Sequence, residues 1–146
     1  ILHYPKQSMI LLQHNGFTIP LKNSQNTPLI NHPYVHLHQS TALHPPTAFL
    51  NQTLFYSNHQ LIYSQDTLLI LSRQSSYYTP CSILVITENL LPQHVLQFTP
   101  HPLPKQIILD GSNHKYTITA WEAFCEKHQI NFKNTTENGY VQIRLK

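Results

Sequence analysis

The residues best placed to do chemistry lie in one stretch, Lys105-Gln-Ile-Ile-Leu-Asp110-Gly-Ser-Asn-His114. Asp110 brings a carboxylate, Ser112 a hydroxyl, Asn113 an amide and His114 an imidazole. Gln106 to Leu109 is a short, β-branched apolar run that reads as a fully buried strand. Asp-Gly-Ser-Asn then supplies a loop suited to positive φ and to Asx-type hydrogen bonds, and a helix begins. Sites in α/β proteins are commonly built at that junction, the carboxyl end of a strand. The structural alternative is a β-to-α connection with Asp110 accepting backbone N–H bonds, and the residues favour it. A second group is His36-Leu-His38. On a strand, that spacing points both imidazoles to one face, where they would hold a divalent ion. In a chain with 11 histidines, such a pair also arises by chance.

Positioning these groups falls to elements that the pattern predicts along the chain. Ile1 to Tyr4 reads as a strand closed by Pro5. Ser8–Gln13 and Phe17–Leu21 flank His14-Asn15-Gly16, and Asn-Gly is the pair a type I′ hairpin turn needs. Tyr34 to His38 alternates like a strand or a poor helix. Thr47 to Phe55 continues into a strand, and residues 53 to 71 read as a β-meander. Ser82 to Thr87 is a second buried-type strand, and Pro92 to Thr99 a short helix. Tyr116 to Lys127 is the clearest helix, with Thr117 or Thr119 as cap. Its apolar stripe is Trp121, Phe124 and Cys125, with Glu122 and Glu126 facing out. Ile130 to Phe132 starts another strand, Asn138-Gly139 marks a turn, and Tyr140 to Leu145 alternates as a final half-buried strand. The second half thus predicts helices laid over one face of a sheet.

At 146 residues the chain fits one domain. Charged residues make up only 10%, against a usual ~25%, which suits a domain attached to something larger. The formal charge is +3, with nine Lys and Arg scattered singly and no basic run to track phosphates. Histidines titrating near pH ~6.5 would raise that charge in mild acid. Cys81 and Cys125 are too few for a disulfide scaffold and read as small core residues, with a single bridge left open. There is no signal peptide and no apolar run of roughly 18 residues, so the chain as given reads as soluble. It starts at Ile1 without an initiator Met and reads as a domain cut from a longer protein.

Four segments together resemble a known family: Ser82-Ile-Leu-Val-Ile-Thr-Glu-Asn89, Pro104 to Asn113, Trp121-Glu-Ala-Phe-Cys-Glu-Lys-His128 and Thr136-Glu-Asn-Gly-Tyr-Val-Gln-Ile143. They are similar to the C-terminal end of ComEC-type competence proteins, bacterial inner-membrane DNA-uptake channels, in the version found in Bacteroidetes-type bacteria. The resemblance implies an α/β (α+β) domain over residues 1–146. Its fold would be a metallo-β-lactamase-like β-sandwich flanked by helices, with mostly antiparallel strands in the first half. It also implies a place on the periplasmic side of the membrane, joined to the transmembrane portion of the same protein.

The typical family carries a His-x-His-x-Asp-His metal motif. Here Ser40 and Thr41 stand where Asp and His are required, and Glu88 or Asn89 replaces another ligand histidine. Two-metal hydrolysis needs several convergent ligands, so the reading is a non-catalytic domain without a cofactor. It would bind single-stranded or double-stranded DNA weakly, or brace the channel. Lys105, Ser112, Asn113, His114, Lys115 and Tyr116 are the candidate contacts, with Lys133, Arg144, Tyr77 and Tyr78 behind them. One alternative is a nuclease holding zinc or manganese on His36, His38, Glu88, Asp110 and His114, with Asp110, His36 and His38 catalytic. The other is an interaction domain with no nucleic-acid role.

Overall fold

The computed structural model describes residues 1–4, 7–14, 17–23, 49–51, 54–57, 60–63, 66–75, 78–96 and 102–144. Ten strands are formed among them: β1 (Leu2–Tyr4), β2 (Gln7–His14), β3 (Phe17–Asn23), β4 (Phe49–Asn51), β5 (Leu54–Ser57), β6 (Gln60–Tyr63), β7 (Asp66–Leu71), β8 (Ile83–Ile86), β9 (Gln106–Leu109) and β10 (Asn131–Asn134). Three helices follow the later strands: α1 (Pro92–Leu96) after β8, α2 (Lys115–His128) after β9 and α3 (Thr135–Asn138) after β10. β1-β2-β3 form one sheet, and β10-β9-β8-β7-β6-β5-β4 form another.

The centre of the larger sheet is a four-stranded parallel unit, β7-β8-β9-β10. Leu68–Leu71, Ile83–Ile86 and Ile107–Leu109 are buried at every position. A strand can be apolar on both faces only where both are covered, which is the habit of parallel sheets. The segments 87–105 and 110–130 supply the long crossovers that parallel pairs require.

The α/β class expected from the sequence holds, but the expected architecture within it is overturned. The domain is not a metallo-β-lactamase-like β-sandwich with a mostly antiparallel first half; its defining unit is an all-parallel sheet with helices on it, an α/β arrangement. Antiparallel ladders do join β1-β2-β3 and β4-β5-β6-β7 at the backbone level, but they do not set the class. β7 is the pivot, antiparallel to β6 and parallel to β8.

Each parallel strand lies beside its predecessor in the chain, so consecutive crossovers of one hand fall on one face. Packing agrees. Leu69, Leu71, Leu84, Ile86, Ile107 and Leu109 share a core with Val95 of α1 and with Trp121 and Cys125 of α2. The expected stripe on the long helix is therefore present, with Glu122 and Glu126 outside. Trp121 is fully buried, donates Nε1–H to the Leu90 carbonyl at 2.7 Å and meets Phe124 edge-on at 5.5 Å. Cys81 packs at the border of the same core, and both cysteines are free thiols. Burial pushes the Cys125 thiol up to about 12 and Cys81 to about 11.

The expected β2–β3 hairpin is formed, with His14 opposite Phe17; its turn residues Asn15 and Gly16 lie outside the described residues, as does Tyr34–His38. The expected final strand, Tyr140 to Leu145, is not formed over its described residues, where Tyr140 makes only a single bridge. Residues 135–138 make α3, and no strand runs through 141–144. α3 is started by a cap: Asn134 Oδ1 accepts the N–H groups of Thr136 (2.9 Å) and Glu137 (3.1 Å), while Asn134 Nδ2 donates to Glu137 Oε1. Gly139, expected in a turn, closes α3 at φ 72°. Such a left-handed helix end favours glycine. Beyond it, the Val141 N–H donates to the Ile1 carbonyl at 2.7 Å.

Candidate functional site

Because β8 and β9 are parallel neighbours, with Ile86 beside Leu109, their following loops emerge side by side at the carboxyl edge of the sheet. The first is Thr87-Glu88-Asn89 and the second Asp110-Gly111-Ser112-Asn113. Glu88 and Asn89 both adopt left-handed backbone, at φ 57° and 60°. An L-residue there costs about 1–2 kcal/mol, so two in succession need support. The second loop provides it. Ser112 Oγ accepts the Glu88 N–H at 2.7 Å, and Asn113 Oδ1 accepts the Asn89 N–H at 3.0 Å.

Asn113 reaches across with its other end as well. Its Nδ2 donates to the Ile86 carbonyl at 2.8 Å and to Asp110 Oδ1 at 3.1 Å. Asp110, only 1% exposed, also accepts the Ser112 N–H at 3.1 Å and the Ser112 hydroxyl. The expected turn-closing role of Asp110 is what the geometry gives. Thr87, buried beside it, donates its hydroxyl to the Leu71 carbonyl at 3.0 Å.

Asn89 completes the lacing. Its Oδ1 accepts the His114 N–H at 2.6 Å and the Thr117 hydroxyl at 3.3 Å. The expected caps, Thr117 or Thr119, are therefore corrected. The N-cap of α2 is His114, whose own side chain makes no capping bond, and the donor at the helix start is met by a residue on the neighbouring loop. Thr117 is buried inside the helix. Asn89 is the residue that sequence reasoning undervalued. Its only signal is an Asx residue at the end of one buried strand, matched by an Asp-Gly-Ser-Asn at the end of the next.

In open α/β sheets a ligand crevice forms where successive crossovers part to opposite faces. Between β8 and β9 they stay on the same face, and the space between the two loops is occupied by their own hydrogen bonds. The polar groups there serve the fold first.

The sequence-predicted contacts divide accordingly. Ser112 and Asn113 are buried and turned inward. His114, Lys115 and Tyr116 lie exposed at the start of α2, Tyr116 at 75%. Lys105 precedes β9, at the opposite edge of the sheet, a strand length of roughly 13 Å away, and belongs to no common patch with them. Lys133 is exposed on β10, and Arg144 is exposed after α3. Tyr78 is buried in the core, out of reach of a base, and Tyr77 lies outside the described residues. Of the proposed metal set, Glu88, Asp110 and His114 come to the same edge, whereas His36 and His38 lie outside the described residues. Among the described residues no group of three or more His, Cys, Asp and Glu is arranged to hold a metal ion.

A family model for the ComEC C-terminal domain matches residues 1–145. The chain belongs to the ComEC C-terminal domain family. No curated protein and no solved structure matches it. Membership ties the ComEC domain to competence and DNA uptake, and to a membrane protein, although among the described residues no helix is long and apolar enough to cross a membrane.

Proposed function

We propose that this ComEC domain is a non-catalytic part of the uptake apparatus. It contacts incoming DNA weakly, single-stranded or duplex, while joined to the membrane portion of the same protein on the periplasmic side. The observation that carries this reading is the division of labour at the carboxyl edge. Ser112, Asn113 and Asn89 are engaged in bonding the two loops together and Asp110 in closing its own loop, which leaves His114, Lys115 and Tyr116 as the outward groups. The first turn of α2 contains no acidic residue and starts with Lys115. A helix start is already the positive end of the macrodipole, so an added cation there suits a phosphate, and an exposed tyrosine offers a base a stacking surface. The commitment of the Asp110 carboxylate to its own loop supports the non-catalytic half of the proposal.

The test is fluorescence anisotropy of labelled single-stranded and duplex oligonucleotides titrated with the domain across a salt series. Binding should weaken steeply with salt. Exchanging both Lys115 and Tyr116 for Ala should lower affinity about tenfold and flatten the salt slope by about one phosphate contact. No salt-dependent binding at low ionic strength would leave a domain that meets only protein. Stoichiometric zinc or manganese in the purified protein, together with DNA digestion, would establish a nuclease instead.

A further inference from the structure

We draw no further inference here: the strongest candidate, the apolar cavity between α1, α2 and the 102–104 segment, lined by Tyr78, Leu84, Val95, Trp121 and Phe124 beside the half-exposed Leu103, carries nothing because nothing in the structure shows what covers it.

Discussion

The two edges of the parallel sheet are held by different kinds of bond. At the amino edge the connections are mostly backbone to backbone: the Lys105 and Gln106 N–H groups donate to the Ser82 carbonyl at 2.9 and 3.2 Å, and the Asn131 N–H to Lys105 at 3.3 Å. The side-chain bond there runs from the Thr67 N–H to Ser82 Oγ at 3.0 Å. At the carboxyl edge, buried side chains of Ser112 and Asn113, held in place by Asp110, join loops that are adjacent in space but 24 or more positions apart in sequence. A buried polar group deprived of its partner costs its full desolvation penalty. Tolerance to substitution should therefore differ sharply between the edges.

The largest effect is expected for Asp110→Ala, which strands the Ser112 N–H, takes the acceptor from the Ser112 hydroxyl and removes one of the acceptors of the Asn113 amide; it should cost about 3–4 kcal/mol in urea unfolding. Lys105→Ala, at the other edge, should stay within about 0.5 kcal/mol. Equal losses would abolish the contrast. Asn113→Ala should cost about 2–3 kcal/mol and should also speed hydrogen exchange at the Asn89 amide, whose acceptor it removes. An unchanged exchange rate there would mean that the left-handed backbone at Asn89 does not depend on Asn113.

The amino edge should also be improvable. Gln129 ends α2 in left-handed backbone at φ 55° and is exposed. Gln129→Gly should raise stability by about 0.5–1 kcal/mol; a loss would show that its side chain matters. The smallest expected effect is chemical. With thiols raised to about 11 and 12, Cys81 and Cys125 stay protonated at pH 8, and a thiol reagent should label them only after unfolding. In the unfolded chain they ionise near the ordinary value, so the native state should lose stability as pH rises from about 9 through 11 to 12. Rapid native labelling of Cys125 would contradict its burial.

Legibility in the sequence followed the range of the interactions. The α2 stripe of Trp121 and Cys125, and the buried runs of β8 and β9, rest on local periodicity and were readable. The end of the chain misled because Val141 and Ile143 alternate like a strand, while the signal for the helix just before them was Asn134 three residues ahead of Glu137, a cap. Whether β7 meets β8 parallel is a non-local choice that no single strand encodes. The same holds for the edge loops. Asp110-Gly-Ser-Asn113 announces a turn, but that Asn89 would sit opposite it, and hold the start of another helix, depends on strand neighbours that spacing does not reveal.

The side-by-side order of the parallel strands means that the sheet grows by accretion and must stop somewhere. In sheet order it stops at β10. A terminal strand offers its outer backbone to any passing chain, and nature discourages such pairing with a charge, lysine above all. Lys133, exposed midway along β10, stands where it would deter a foreign strand. In a chain so poor in charge, its loss would bear on solubility more than on folding.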